Sequence, residues 1–271
     1  MKTRITTLLI TTLALAVPAG AVQIVAHRGA SHDAPENTLA SNKLAWKENT
    51  DAVETDIYLT KDGKIIAMHD KNTKRTTGRD ALVTKLTLAE LRELDAGSWK
   101  GAQFAGEKLP TLEEQIALIP PGKRMFVEVK SGPEIVPELA RCLEKCKAGK
   151  HNITIISFIY ETLQAVREQL PELPTQYLAS YKNPRKTKPG AKPPPTIDEI
   201  IAKAKAAKFT GLDLSYAWPL TAADVKKIQK AGLELHVWTV DDPAVAKRWI
   251  DLGVLSITTN RPGWLRQQLG L

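Results

Sequence analysis

Five short segments of this chain hold residue types that could move protons and grip an anion around a cation: His27-Arg28-Gly29, Pro35-Glu36-Asn37-Thr38, Glu54-Thr55-Asp56, His69-Asp70 and Glu128-Val129-Lys130. Three lie on or just after apolar runs of strand character, VQIVA, DAVETDIYL and MFVEVK. Glu54 and Asp56 are two apart, as are Glu128 and Lys130, and on a strand that spacing puts each pair on one face. Two carboxylates buried side by side are costly unless a cation lies between them. Glu54, Asp56 and Glu128, completed by water and substrate oxygens, would suit one hard divalent cation, Mg2+ or Ca2+. The histidines are not spaced as zinc ligands, because no HxH or HExxH occurs. As a pair, His27 and His69 could take one proton and deliver another near neutral pH. Arg28 and Lys130 would hold the non-bridging oxygens of a phosphoryl group. The chemistry that fits is metal-assisted exchange at a phosphodiester.

Each residue also has a plain structural role open to it. A histidine after a strand can be a hydrogen-bonded loop residue, Glu54 and Asp56 a solvated edge, Glu128 and Lys130 a surface pair, and Asp70 a turn cap. Their joint placement at strand ends argues for function. Glu36 could orient Arg28 or a site water, or cap the first helix with Asn37 and Thr38; a supporting role is expected. Trp238 at the end of the seventh strand could line the site or belong to the core, and Phe158 after the fourth shares that ambiguity.

The elements that must position these groups alternate along the chain. Strand-like runs fall near 22–26, 52–59, 124–130, 152–157, 174–179, 210–215, 234–240 and 254–258, and helix-like runs near 36–48, 111–118, 134–147, 160–170, 196–208, 221–231, 243–252 and 263–269. Thr196 with Glu199 and Thr221 with Asp224 read as capping boxes, and Asp242-Pro243 as a helix start. Eight alternations over about 250 residues predict a (β/α)8 TIM barrel, with catalytic groups at the C-terminal strand ends. Two stretches break the rhythm. After the turn Lys61-Asp62-Gly63-Lys64 and the short strand IIAMHD, residues 71–110 read as a small insertion following the second strand, carrying the helical piece TLAELREL. Residues 181–195, YKNPRKTKPGAKPPP, hold five cations, no acids and five prolines, and read as an exposed basic loop that could draw an anionic polymer or lipid surface to the barrel mouth.

The first residues carry Lys2 and Arg4, an uncharged apolar run from Ile5 to Val17, and Ala19-Gly20-Ala21. This reads as a signal peptide over 1–21, so the chain is expected to be exported, periplasmic or secreted, with 22–271 as its catalytic domain. No later run is long and apolar enough to span a membrane. The formal charge of +8 falls to +6 without Lys2 and Arg4, which suits an anionic substrate. No nucleic-acid module is recognisable, so nucleic acid is not expected as a partner. Cys142 and Cys146 share a helical face, where a bridge would be strained; two thiols on a half-buried face is the expectation.

The segments IVAHRGASHDAPENTLAS, AVETDIYLTKDGKIIAMHD, LAELRELDAGSWKG, KLPTLEE, FVEVK, ISF, VWTV and ITTNRP run in order from residue 24 to 262. In this ordered set the chain resembles the glycerophosphodiester phosphodiesterase family. The resemblance implies a TIM barrel with the same insertion, and metal-dependent hydrolysis of a glycerophosphodiester to an alcohol and sn-glycerol 3-phosphate. It further implies Glu54, Asp56 and Glu128 as metal ligands, His27 and His69 as general acid and base, Arg28 and Lys130 on the phosphate, and Trp238 along the glycerol or alcohol. In the family a neighbouring glycerol hydroxyl attacks phosphorus, and water opens the resulting cyclic phosphate. Alternatives within reach of the same motifs are a lysophospholipase D or sphingomyelinase D-like activity on lipid headgroups, or a barrel that binds phosphate without turnover. Asp241 stands where the family often has Asn after WTV, and the basic loop has no family counterpart.

Overall fold

The computed structural model describes residues 22–146, 152–181 and 193–271. The expected signal peptide, and residues 182–192 of the basic loop, lie outside the described residues. Among the described residues nine strands are present: β1 (Gln23–Ala26), β2 (Ala52–Leu59), β3 (Ile65–Ala67), β4 (Arg124–Val129), β5 (Ile153–Ser157), β6 (Thr175–Ala179), β7 (Gly211–Ser215), β8 (Glu234–Trp238) and β9 (Ser256–Thr259). Eight of them are parallel neighbours in the order β1-β9-β8-β7-β6-β5-β4-β2, and β1 pairs with β2 to close the ring. This is the expected eight-stranded barrel. The short β3 runs antiparallel to the end of β2, pairing Ile57 with Ala67 and Leu59 with Ile65.

Side-chain alternation sorts the barrel into an outer and an inner set. Val53, Ile57, Met125, Val127, Ile155, Leu212, Leu214, Val237 and Ile257 belong to the large core packed under the helices. Val25, Ala52, Phe126, Ile156 and Leu178, at the alternate positions, form a separate apolar layer across the barrel interior. A buried polar chain lies on the inner face as well. Gln176 Nε2 is 2.7 Å from His236 Nε2, and His236 Nδ1 is 2.7 Å from Ser256 Oγ. The interior is therefore filled rather than open.

The helices α1 (Leu39–Lys47), α2 (Lys74–Thr77), α3 (Leu88–Arg92), α4 (Leu112–Ile116), α5 (Val136–Cys146), α6 (Tyr160–Gln169), α7 (Ile197–Ala206), α8 (Ala222–Lys230), α9 (Pro243–Leu252) and α10 (Pro262–Leu269) complete the layers. Thr196–Glu199 and Thr221–Asp224 form reciprocal capping boxes, and Asp242 caps α9 through Ala244 N and Val245 N. α1 starts three residues later than expected at position 36. Thr38 is its N-cap, and Asn37 just before it has φ +58°, a left-handed conformation that no helix interior accepts.

The insertion has a core of its own, in which Val83, Leu86, Leu91, Ala96 and Leu109 pack on Ile66 and Met68. Its residues are thereby tied to β3 rather than left as loop. Cys142 and Cys146 are both free thiols, and burial pushes Cys142 up to about 12. No helix among the described residues is long and apolar enough to cross a membrane.

Candidate active site

The parallel register of β2 and β4 puts Asp56 beside Glu128 and Glu54 beside Phe126. The three carboxylates thus converge from two neighbouring strands, and one oxygen of each lies within 4.8 Å of the others. All three residues are buried. Among the described residues Glu54 Oε1 has no hydrogen-bond partner, and the cation beside Asp56 Oδ1 and Glu128 Oε1 is the Lys130 ammonium, at 3.0 and 2.5 Å. Three buried, under-partnered carboxylate oxygens within 4.8 Å of one another fit a hard divalent cation.

The electrostatics of the carboxylate cluster agree. Burial, with Asp56 and Glu128 nearby, pushes Glu54 well above the usual carboxylate range. Burial and the Asp56 charge push Glu128 to about 8, against the pull of Lys130. Asp56 is buried too, yet Lys130 and Arg28 outweigh that and hold it down at about 2. The ensemble holds more negative charge than its two cations neutralise comfortably.

Arg28 is placed by strain. Its φ is +56°, unusual for a side-chain-bearing residue, and the turn aims Arg28 N at Glu54 Oε2, 2.8 Å away. Its guanidinium reaches Asp56 at 3.4 Å and Glu36 at 3.0 Å. Gly29 continues the turn at φ +77°, and a Cβ there would lie 2.7 Å from the Ser41 backbone carbon, so only glycine fits. Glu36 is not the helix cap. It bridges Arg28 and Arg75, accepting from Arg75 at 2.7 and 2.8 Å. Asn37, its neighbour, donates to Asp56 Oδ2 at 2.8 Å and accepts from Asp56 N and Thr55 Oγ1 at 3.0 Å.

Each histidine is held by its Nδ1. His27 Nδ1 lies 2.7 Å from Asn260 Oδ1. Asn260 Nδ2 donates to Asp241 Oδ2, which fixes the amide orientation and makes His27 Nδ1 the donor. Asp241 is fixed in turn by Thr259 Oγ1 and Asn260 N. His69 Nδ1 lies 2.6 Å from Asp70 Oδ1, and Arg75 Nε donates to Asp70 Oδ2. Both residues line the cavity, and with Nδ1 engaged each imidazole has Nε2 left to offer. Burial and the adjacent Arg28 lower His27 to about 4, and burial lowers His69 as well.

The cavity brings His27, Arg28, Glu54, His69, Glu128, Lys130 and Trp238 together. Asp56 sits just behind it, and Glu36 supports from the side. Trp238 is a lining residue, and its ring packs edge-on against Phe158 at 5.5 Å, so these two form one aromatic wall. The residues to which sequence reasoning gave no part in the site are Asn37, read only as a possible helix cap, Arg75, Asp213, Asp241 and Asn260. Asn37 and Asn260 stand inside the quoted PENT and ITTNRP segments, so a signal was present. Arg75 and Asp213 carry no motif. Asp213 alternates with Leu212 and Leu214, faces inward, and lines the same cavity. Burial and the Glu128 charge push its carboxyl well above the usual range.

Comparison with known proteins agrees with this geometry. The model of the glycerophosphoryl diester phosphodiesterase family matches residues 27–264. A glycerophosphodiester phosphodiesterase of Bacillus subtilis is 37% identical over 88% of this chain and 83% of its own length. Another from Caldanaerobacter subterraneus subsp. tengcongensis is 33% identical over 88% of this chain and 94% of its own. Among solved structures, an Oleispira antarctica phosphodiesterase in complex with the product sn-glycerol-3-phosphate superposes with a TM-score of 0.81 at 29% identity, covering 92% of this chain and 97% of that one.

Proposed function

The chain belongs to the glycerophosphoryl diester phosphodiesterase family, and from that premise we propose that it hydrolyses a glycerophosphodiester to an alcohol and sn-glycerol 3-phosphate through a divalent cation and the His27–His69 pair. The observation that carries this reading is one cavity holding both imidazoles beside three converging carboxylate oxygens. The product in the Oleispira antarctica complex supports the choice of sn-glycerol 3-phosphate.

Glu54, Asp56 and Glu128 would hold the cation, and an all-oxygen set of this kind takes Mg2+ or Ca2+. When bound, the cation would polarise a phosphoryl oxygen and offset charge at phosphorus. Arg28 and Lys130 form the cationic edge for the remaining non-bridging oxygens. One imidazole Nε2 would accept the proton of the attacking glycerol hydroxyl while the other gives a proton to the departing alkoxide, and the same pair in reverse would take a proton from water and return one to the glycerol oxygen as water opens the cyclic phosphate to sn-glycerol 3-phosphate. Asn260 and Asp70 keep each ring in the tautomer that presents Nε2, which saves reorientation during the step. Trp238 and Phe158 exclude water from one side of the organic portion.

Release of glycerol 3-phosphate from glycerophosphocholine tests the proposal. Turnover is expected with Mg2+ or Ca2+, loss of turnover with chelator, and recovery when the ion is restored. Absence of chelator-sensitive release from both glycerophosphocholine and glycerophosphoethanolamine would reject it.

Export is a second part of the same proposal, resting on the Lys2/Arg4 start, the apolar run and Ala19-Gly20-Ala21. A C-terminally tagged full chain should be recovered outside the cytoplasm with Val22 as its first residue; recovery in the cytoplasm with the leader intact would refute this.

A further inference from the structure

Asp213 is the one carboxylate of the cavity that neither joins the cation cluster nor meets a cation in the ion pairs found. It is 2% exposed, and its Oδ1 is buried without a hydrogen-bond partner. A carboxyl left so costs stability, and a fold keeps such a group where something outside the chain completes it. Two features say what that is. The strand order places β7 four strands from β2 in either direction, so Asp213 stands across the barrel from Glu54 and Asp56. Between these poles Ile156, Leu178, Phe158 and Trp238 make an apolar wall, with Thr239 and Thr258 also lining the cavity. A ligand whose phosphate meets Arg28 and Lys130 and extends over this wall reaches the side of Asp213, the buried carboxyl there that has no partner for its Oδ1. A neutral, hydroxyl-bearing portion suits that side better than a second anion, which the carboxyl and Glu128 would repel.

We propose that Asp213 is a specificity-determining residue that hydrogen-bonds a hydroxyl of the glycerol moiety, and so selects glycerol phosphodiesters over phosphodiesters with bare alkyl chains. The inference rests on the glycerophosphodiester reading above. A carboxyl can accept from or donate to a hydroxyl, and a ligand without one leaves it buried and unpaired, which is how a polar pocket rejects an apolar isostere.

Calorimetric binding of sn-glycerol 3-phosphate and of propyl phosphate, which has the same chain without hydroxyls, separates this from the catalytic claim. In the full chain with Mg2+ or Ca2+, a preference for glycerol 3-phosphate of about 10- to 100-fold is expected. Asp213→Leu should erase that preference and leave propyl phosphate affinity unchanged or improved, with an equal or higher Tm because the orphaned carboxyl is gone. Asp213→Asn, nearly isosteric, should reduce the preference several-fold and guards against misfolding of the leucine variant. Equal affinities in the wild type, or an unchanged preference in either folded variant, would overturn the inference. Product binding does not require turnover. Failure of chelator-sensitive release therefore condemns the catalytic proposal, whereas loss of ligand preference alone condemns only the role of Asp213.

Discussion

Replacement of His27 by alanine is expected to lower kcat/KM for glycerophosphocholine by about 10²- to 10⁴-fold, the range that one positioned proton-transfer group supplies. The size of the effect follows from how completely the ring is prepared. Asp241 fixes the Asn260 amide, Asn260 accepts from His27 Nδ1, and the Nε2 lone pair is left to offer in the cavity that His27 lines. No other imidazole lining the cavity can replace it, because His69 stands after β3 in its own bond to Asp70. Ion binding should survive, since His27 is outside the carboxylate cluster. The variant is thus expected to keep its ion-induced rise in Tm while losing turnover. Turnover within threefold of wild type would remove His27 from the reaction, and loss of the Tm response would mean that the substitution damaged the cation site instead.

The second large effect is the dependence of ion stabilisation on pH. Glu54 and Glu128 titrate higher in the metal-free fold than in the unfolded chain, Glu128 at about 8 and Glu54 well above its ordinary value. For a carboxyl raised on folding, the unfolded state is the one that ionises first. Stability of the ion-free protein is therefore full below the unfolded value of roughly 4.3 and falls as pH rises toward about 8. A bound divalent cation reverses this by stabilising the ionised forms, and within that window it must displace protons to bind. Millimolar Mg2+ or Ca2+ should accordingly raise Tm by on the order of 5 °C or more at pH 8.5 and by much less at pH 5.5. Glu54→Gln removes one ligand and should flatten the difference, with loss of activity at every ion concentration. A Tm indifferent to both ions across this range would discard the cation site.

How far the site could be read in advance differs among its residues for physical reasons. Glu54, Asp56, Glu128 and Lys130 were legible because strand alternation puts residues two apart on one face, and the apolar residues between them identify the other face. Register across strands was not legible. That Asp56 sits beside Glu128, rather than one pleat away, is fixed by the pairing of β2 with β4. Capping signals located the starts of α7, α8 and α9, yet α1 starts late because Asn37 takes a left-handed conformation to bond Asp56, a tertiary demand that local propensity does not contain. Arg75 was invisible for a related cause. It is one of many cations in a polar stretch, and only the folded insertion brings it to Glu36 and Asp70. Asp213 lacked any signal beyond one acid between leucines, a pattern shared by ordinary strands.

The apolar layer of Val25, Ala52, Phe126, Ile156 and Leu178 has a bearing on traffic. It fills the barrel across its middle, and Ile156 and Leu178 of this layer also line the cavity, so the cavity has an apolar floor. Where substrate enters and both products leave over the face opposite that floor, they share one route. A diester seated with its glycerol portion toward the floor must discharge the alcohol, which lies nearer the opening, before the glycerol phosphate beneath it can depart. Order of release is then a matter of stacking rather than of relative affinity, and the deeper product is the one whose accumulation blocks the next cycle.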